Sequence, residues 1–147
     1  MDLHVLVVDD NGFFVQMIRG MLERHGIEVS SVGSGLEALT AVERRRPDVV
    51  LLDVQMPGMN GFEVLERIKA NPHLTKIPVI MLTARGEADD LISGYRSGAD
   101  YYLTKPVALS ELVYGLSLVL GREIRPVDGA APAAPAPAQR KPSDRTR

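Results

Sequence analysis

The amino-acid sequence predicts an α/β fold: a doubly wound (βα)5 three-layer sandwich whose parallel sheet has the strand order 2-1-3-4-5. The first observation behind this is size and composition. The chain has 147 residues, of which 45% are hydrophobic and 24% charged, and this suits one ordinary globular domain. The second is a regular alternation of short apolar runs with helical patterns. The third is the polarity of the runs, which separates interior strands from edge strands.

Five short segments are predicted as strands, and their polarity predicts their order in the sheet. Three are continuously apolar and rich in valine or isoleucine, as buried parallel strands are: Leu3–Val8, Val49–Leu52 and Val79–Leu82. The other two, Ile27–Val32 and Ala99–Leu103, mix apolar with polar residues, which is typical of edge strands. Placing the two mixed segments at the edges gives the order 2-1-3-4-5.

Between these strands, apolar residues recur three and four positions apart, which predicts five amphipathic helices. The clearest patterns are Phe14, Ile18 and Leu22 in the first helix, Leu36, Leu39 and Val42 in the second, and Leu109, Leu112 and Leu116 in the fifth. Two pairs, Ser34 with Glu37 and Asn60 with Glu63, have the spacing of an N-terminal cap with its reciprocal partner. Alternating strands and helices require a parallel sheet covered on both faces.

A change of composition near the end of the chain predicts a domain over residues 1–120 and a disordered tail over residues 121–147. The tail holds five of the ten prolines and none of the seven aromatic residues. Its six Lys and Arg outnumber its three Asp and Glu, so the tail is basic whereas the domain is acidic. Because the fifth predicted helix ends near Leu120, we expect a stand-alone domain with no further folded domain after it.

Composition also excludes several classes of function. Cysteine is absent, which excludes disulfides, thiolate zinc sites and cysteine nucleophiles, and the three histidines lack the spacing of metal ligands. No apolar run approaches the ~20 residues that cross a bilayer, and the N-terminus lacks a cationic signal peptide. We therefore expect a cytoplasmic protein without membrane insertion, and the net charge of −2 gives no indication of nucleic-acid binding.

Polar side chains follow the predicted strands at the edge where a doubly wound sheet binds its ligands. They are Asp9 and Asp10 after the first strand, Asp53 after the third, Thr83 after the fourth, and Lys105 with Pro106 after the fifth. Three carboxylates from two adjacent strands repel one another unless a cation lies between them. Oxygen ligands favour a hard divalent ion, Mg²⁺ or Mn²⁺, and such an ion, if incompletely enclosed, suits a phosphoryl group.

Four segments in order carry a family resemblance: VLVVDD, VVLLDVQMPGMNG, VIMLTA and GADYYLTKP. In this order and spacing they resemble the receiver domain of bacterial two-component response regulators, over roughly residues 3–120. The resemblance implies the CheY-like, flavodoxin-like form of the predicted fold. It also implies a phosphoprotein of phosphorelay signal transduction that is not an enzyme, since the only phosphotransfer and dephosphorylation would occur on its own aspartate.

The resemblance assigns a role to each acidic residue. Asp53 would be the phosphoacceptor, attacking a phosphohistidine of a histidine kinase or histidine phosphotransfer protein to give an aspartyl phosphate. Asp10 and Asp53 would be direct ligands of Mg²⁺ or Mn²⁺, and Asp9 would act through water. The backbone carbonyl of Gln55 would complete the metal ligands supplied by the protein.

The resemblance also assigns the remaining strand-end residues and a switch. Lys105 would pair with one phosphoryl oxygen and Thr83 would donate a hydrogen bond to another. The Lys105–Pro106 peptide bond would be cis. Thr83 and Tyr102 would rearrange together on phosphorylation and change the face made by the fourth helix, the fifth strand and the fifth helix. A downstream protein target would recognise that face.

Each of these residues also has an ordinary structural interpretation. Either acid of the pair Asp9-Asp10 could cap the first helix, and Asp53 could belong to a turn. Lys105 could form a surface ion pair that contributes little. Tyr102 could simply pack against a neighbouring helix.

Three other functions compete with the receiver. A small aspartate-nucleophile phosphatase shares the α/β core but has an Asp-x-Asp arrangement on the first strand, where this chain has Asp9-Asp10-Asn11-Gly12. A flavin carrier shares the strand order, but Asp9 and Asp10 would repel the phosphate of the flavin. The third is a receiver-like interaction module that works without phosphorylation. For the receiver we expect protein partners, no direct contact with nucleic acid, and a monomer or weak dimer.

Overall fold

A computed structural model describes residues 3–84 and 98–125, and within them strands and helices alternate along the chain. The strands described are β1 (His4–Val8), β2 (Glu28–Val32), β3 (Val49–Asp53), β4 (Val79–Ala84) and β5 (Tyr101–Lys105). The helices described are α1 (Gly12–Glu23), α2 (Gly35–Arg44), α3 (Gly61–Ala70) and α4 (Leu109–Leu120). Helix α4 is the fifth helix predicted from the sequence. The fourth predicted helix and residues 126–147 of the predicted tail lie outside the described residues.

All five strands pair in parallel in one sheet, in the order β2-β1-β3-β4-β5. This confirms the predicted fold class and strand order. The interior strands β1 and β3 are buried along their whole length, and β4 is buried up to Thr83, because the sheet is covered on both faces. Strand β2 mixes buried and exposed positions, as predicted for an edge.

Two apolar clusters, one on each face of the sheet, form the core. Along β1, Val5 and Val7 enter the cluster that includes residues of α1 and α4, while Leu6 and Val8 enter the cluster that includes residues of α2 and α3. This is the period-two alternation of a strand, and it produces the three predicted layers. The same alternation decides which face a side chain at the end of a strand joins.

Side-chain caps define where α2 and α3 begin. At α3 the predicted pair is a complete capping box, with Asn60 Oδ1 accepting from Glu63 N at 3.0 Å and Glu63 Oε1 accepting from Asn60 N at 2.9 Å. At α2, Ser34 Oγ accepts from Glu37 N at 3.2 Å, which confirms the predicted cap. The reciprocal bond there is shifted by one residue, because the Glu37 carboxylate accepts from Gly33 N.

The fifth strand begins at Tyr101, two residues later than the predicted start at Ala99. Asp100 accounts for the difference, because it bonds twice to the first residue of β4. Its backbone N donates to Val79 O at 2.9 Å, and its Oδ2 accepts from Val79 N at 2.8 Å. Because Asp100 makes these bonds from the connection that precedes β5, regular pairing of β5 with β4 starts one residue later.

Three strands extend further than predicted at their carboxyl ends. Strand β3 includes Asp53, β4 includes Thr83, and β5 includes Lys105. These residues therefore belong to the strands that they were predicted to follow. Their backbones are held by the sheet, so their side chains project from a fixed position.

Apolar packing continues past α4, beyond residue 120, where the sequence predicts the domain to end. Ile124 is 4% exposed and joins the same apolar cluster as Leu3 and Ile27, near the start of β1 and β2. The predicted tail was defined by average composition, and an average hides one anchoring side chain in a polar segment. Among the described residues, no helix is long and apolar enough to span a membrane.

Candidate functional site

The polar residues at the strand ends divide between the two faces of the sheet. By the period-two alternation along each strand, Asp9, Asp53 and Lys105 lie on the sheet face of the α1–α4 cluster. Asp10 and Thr83 lie on the opposite face, that of the α2–α3 cluster. Strands β1 and β3 are neighbours, so the carboxylates of Asp9 and Asp53 lie side by side. Lys105 reaches both of them from β5.

Lys105 is the centre of the contacts at this edge. Its Nζ donates to Asp9 Oδ2 at 2.7 Å and lies 3.4 Å from Asp53 Oδ1. The lysine side chain is 25% exposed, while the Asp9 side chain is fully buried and that of Asp53 nearly so. This is therefore a largely desolvated charge cluster, and the interpretation of Lys105 as a weak surface ion pair is wrong.

Asp9 is held by a second contact on the other side of its carboxylate. Its Oδ1 accepts from Asn11 N at 2.9 Å, and Asn11 is the residue that caps α1, with its Oδ1 accepting from Phe14 N at 3.1 Å. Neither Asp9 nor Asp10 caps that helix, so this ordinary interpretation of the acidic pair is wrong. The carboxylate of Asp9 is instead bound by Asn11 and Lys105, and that of Asp10 is exposed.

Asp53 is the most perturbed carboxyl group of the site. Burial, and after it the negative charge of Asp9, raises the pKa of Asp53 from its ordinary value of 3.8 to about 6, against the opposing effect of Lys105. The backbone N of Gln55 lies 3.4 Å from Asp53 Oδ1, which is a long contact for a turn. The contacts of Asp53 with Lys105 and Gln55 therefore do not offset its burial and the charge of Asp9.

The acidic residues fit a divalent cation. Asp9, Asp10 and Asp53 can each present one carboxylate oxygen so that all three atoms lie within 4.8 Å of one another. Asp9 and Asp53 are buried and Asp10 is exposed, so the set has one side open to solvent. An all-oxygen set of this kind, with excess negative charge, suits Mg²⁺ or Mn²⁺.

The loop after β3 is held against the strand that carries Asp53. Gly61, the first residue of α3, donates from its N to Val54 O at 2.9 Å. A Cβ atom on Gly61 would lie 2.9 Å from Val54 Cα and would overlap the carbonyl oxygen of Asp53. A residue without a side chain is therefore required at Gly61, and this close approach fixes both ends of the loop that contains Gln55.

The two residues predicted as a switch are buried on the same face of the sheet. Tyr102 lies opposite Met81 in the register of β4 and β5, both belong to the α2–α3 cluster, and Thr83 follows Met81 by two residues. Thr83 and Tyr102 are therefore diagonal neighbours. Tyr101 points to the other face and packs against Gly115 of α4. The peptide bond between Lys105 and Pro106 is cis, as the resemblance implied.

Two residues of this site were missed by the sequence analysis. Asn11 had a usable signal, because an asparagine directly before a helical pattern is a favoured N-cap. Phe14 had none beyond its place in the apolar pattern of α1, yet its ring centroid lies 4.4 Å from Lys105 Nζ. A contact between the first helix and the last strand depends on the tertiary fold.

Fold and site together define a doubly wound α/β domain that presents a carboxylate cluster and a lysine at the carboxyl edge of its sheet. The family model described as the response regulator receiver domain matches residues 5–116. The chain therefore belongs to the response regulator receiver domain family.

Curated relatives that match the chain agree with this family assignment. The DNA-binding response regulator MtrA of Mycobacterium tuberculosis is 42% identical over 109 residues, which cover 74% of this chain and 46% of MtrA. The phosphate regulon transcriptional regulatory protein PhoB of Pseudomonas aeruginosa is 41% identical over 128 residues, which cover 87% of this chain and 56% of PhoB. The chain spans about half the length of the curated relatives it matches.

Solved structures agree as well. A putative response regulator from Chloroflexus aurantiacus matches with a TM-score of 0.80 and 35% identity, covering 83% of this chain and 100% of that one. The chemotaxis response regulator CheY4 of Vibrio cholerae matches with a TM-score of 0.76 and 33% identity, covering 82% of this chain and 100% of that one. The CheY-like form of the fold is thereby confirmed.

Proposed function

We propose that this chain receives a phosphoryl group on Asp53 from a phosphohistidine of a histidine kinase or histidine phosphotransfer protein. The observation that carries the proposal is the position of Lys105, whose Nζ lies 2.7 Å from Asp9 and 3.4 Å from Asp53 beside a cluster of three carboxylates. A carboxylate alone would repel an incoming phosphoryl group. A carboxylate next to an ammonium and a cation site can receive one, because the charge on the equatorial oxygens is neutralised.

The proposed step forms one bond and breaks one. An oxygen of the ionised Asp53 carboxylate bonds to phosphorus, while the bond between phosphorus and the histidine nitrogen breaks. The electron pair of the broken bond goes to the imidazole, and the product on this chain is an aspartyl phosphate. Because the pKa of Asp53 is about 6, the carboxylate is mostly ionised at neutral pH and ready to attack.

The cation site belongs to the same proposal. Asp10 and Asp53 would hold Mg²⁺ or Mn²⁺ directly, Asp9 through water, and Gln55 through its backbone carbonyl. When bound, the cation supplies positive charge that the phosphoryl oxygens need. The fit is supported by the all-oxygen donor set and by the exposed position of Asp10, which leaves one side of the site open.

Lys105 and Thr83 would then complete the binding of the phosphoryl group. The Lys105 ammonium, now shared between two carboxylates, would turn to a phosphoryl oxygen, and the Thr83 hydroxyl would donate to another. Movement of Thr83 toward the phosphoryl group would make room beside it for the Tyr102 ring. The fully buried position of Tyr102, diagonal to Thr83, supports this coupling.

Under this proposal the chain is a signalling protein and not an enzyme, because phosphotransfer is confined to its own aspartate. Its output would be a change at the face made by the fourth predicted helix, β5 and α4, read by a downstream protein. Membership of the receiver family favours this function over the phosphatase and the flavin carrier. For this chain, whose described site is built from carboxylates, we propose protein partners and no direct contact with nucleic acid.

A protein donor is supported by an apolar patch on α1. Phe13 is 92% exposed and Met17, one turn further along the helix, is 42% exposed. Phe13 precedes Phe14, whose ring lies beside Lys105, so the patch begins next to the site. Exposed apolar side chains of this size are typical of protein contact surfaces. We place this encounter in the cytoplasm, between a kinase and a monomer or weak dimer of the chain.

The test is incubation of the whole chain with acetyl phosphate and Mg²⁺, followed by intact-mass measurement. We expect one phosphoryl addition, which is lost in base and is absent when the metal is chelated. Asp53→Asn should abolish it. Asp48→Asn is the matched control, because Asp48 directly precedes β3 and Asp53 ends it; this variant should be modified like the wild type.

Two outcomes would contradict the proposal in different ways. A phosphoryl group that persists in Asp53→Asn would place the acceptor elsewhere. A wild-type chain that takes no phosphoryl group from acetyl phosphate, and none from autophosphorylated histidine kinases, would favour the interaction module that works without phosphorylation.

A further inference from the structure

We infer that Phe14 is a positioning residue for the proposed phosphorylation: its ring holds the Lys105 ammonium at the acceptor carboxylate. The inference rests on the proposed function. It assigns a role to a side chain of α1 that neither binds the cation nor touches the phosphoryl group.

The contact has the geometry of a cation–π interaction. The Lys105 Nζ lies 4.4 Å from the centroid of the Phe14 ring, inside the ~6 Å range over which such pairs attract. The same nitrogen contacts Asp9 at 2.7 Å and Asp53 at 3.4 Å. The ammonium is thus held by two carboxylates and one aromatic ring.

The ring is the fixed partner of this pair and the ammonium is the movable one. Phe14 is 8% exposed and belongs to the apolar cluster between the sheet and helices α1 and α4. Its backbone is also held, because Phe14 N donates to the cap residue Asn11. The Lys105 side chain is 25% exposed and has a flexible stem.

The proposed chemistry removes the two carboxylate contacts but leaves the ring contact in place. Asp9 and Asp53 would turn to the cation and to the incoming phosphoryl group, so both partners of the lysine change. The proposed reaction gives the Phe14 ring no new binding partner. An ammonium that keeps this contact stays within reach of Asp53, whereas one without it can swing to solvent when the carboxylates are occupied.

The test replaces Phe14 with mono-, di- and trifluorophenylalanine in the full chain. Fluorine withdraws electron density from the ring face while changing its shape little, so the attraction for a cation weakens in steps. We expect the rate of Asp53 phosphorylation by acetyl phosphate and Mg²⁺ to fall in the same steps, to about three- to tenfold below wild type. Melting temperatures should stay constant across the series. Phe14→Leu should match the slow end, and Phe14→Tyr should restore the rate.

A second readout needs no phosphoryl group. In the metal-free protein, the ring should shift the NMR signals of the Lys105 ε-methylene protons upfield, and Phe14→Leu should remove this shift. The matched control is the same fluorinated series at Phe62, a partly buried phenylalanine of α3 that packs against the opposite cluster. Fluorination there should leave the rate unchanged.

The possible failures are distinguishable. A wild-type protein that is never phosphorylated on Asp53 overturns both the proposed function and the role of Phe14. A phosphorylated protein whose rate is flat across the fluorinated series overturns the role of Phe14 alone. An absent ring-current shift at Lys105 overturns the contact itself.

Discussion

Asp53 is 6% exposed, yet under the proposed function it must be ionised to act as a nucleophile, and these two properties oppose each other. Desolvation and the neighbouring Asp9 both favour its protonated form, and Lys105 only partly compensates. A carboxyl group in this situation gains more from a new positive partner than an exposed one does. Under the proposed function, the perturbation would favour binding of a cation and a phosphoryl group at the site.

The raised pKa of Asp53 predicts a pH dependence of stability in the metal-free protein. Between about pH 4 and pH 6 the folded chain keeps a proton on Asp53 that the unfolded chain has lost. Stability from this residue is therefore complete below the ordinary pKa and is lost as the pH rises through 6. The shift from 3.8 to about 6 corresponds to at most about 3 kcal/mol.

Urea unfolding of the wild type and Asp53→Asn with a metal chelator measures this loss. We expect the variant to match the wild type near pH 4 and to be more stable by roughly 2–3 kcal/mol at neutral pH, because the amide has no charge to bury. Addition of Mg²⁺ at neutral pH should raise the stability of the wild type more than that of the variant. A stability difference that does not change with pH would contradict the assigned pKa.

At the scale of elements, the first turn of α1 serves the site in three ways. Asn11 caps the helix and contacts Asp9, Phe14 faces inward to Lys105, and Phe13 faces outward. Neighbouring positions on a helix point in different directions, so one turn can contact the charge cluster and also expose a side chain to solvent. An apolar side chain as exposed as Phe13 contributes nothing to the core, and under the proposed function the kinase would bury it.

We predict that Phe13→Ser slows phosphotransfer from a protein donor and leaves the small donor unaffected. An exposed side chain contributes to encounter with the kinase but not to the chemistry at Asp53. Transfer from an autophosphorylated histidine kinase that labels the wild type should slow about tenfold at sub-saturating concentration, a loss typical of a contact residue. Labelling by acetyl phosphate should stay at the wild-type rate.

Leu36→Ser is the matched control for this variant. Leu36 is 66% exposed on α2, and its loss should change neither reaction. Equal slowing of the two donors by Phe13→Ser would mean that the substitution disturbs the acceptor site. An unchanged kinase reaction would remove α1 from the docking surface.

At the scale of the whole molecule, the two ends of the sheet carry different kinds of side chains. The carboxyl ends of the strands carry the acids, the lysine and the threonine of the site, while the amino ends combine apolar packing with ion pairs such as that of Arg45 with Glu28. Ile124 belongs to this packing with Leu3 and Ile27. Packing at the amino ends can therefore stabilise the domain without disturbing the site at the carboxyl ends.

Ile124→Ala is predicted to destabilise the domain by about 2–4 kcal/mol, because it removes a buried side chain and leaves a cavity. The loss is measured by denaturant unfolding. The rate of labelling at Asp53, measured where the variant is folded, should stay unchanged. Arg125→Ala is the control, since Arg125 is largely exposed and its ion pair with Glu123 is a surface pair. A variant as stable as the control would contradict the packing role of Ile124.

The sequence by itself determined the sheet, its strand order and the set of polar residues at one edge. It could do so because apolar periodicity is a local property, and because parallel strands bring their carboxyl ends to the same edge. The position of each acid followed from the strand before it. The start of β5 was wrong by two residues, since the bonds of Asp100 to Val79 join segments that are distant in the chain.

The tertiary structure alone decided how the site is held and charged. The Phe14 ring beside Lys105, the buried position of Asp53 and the anchoring of Ile124 each join parts of the chain that no sequence window contains together. The raised pKa of Asp53 likewise comes from burial and from a charge on a neighbouring strand. Periodicity specifies which side of an element faces inward, whereas the neighbours that a side chain meets there depend on the packing of all the elements at once.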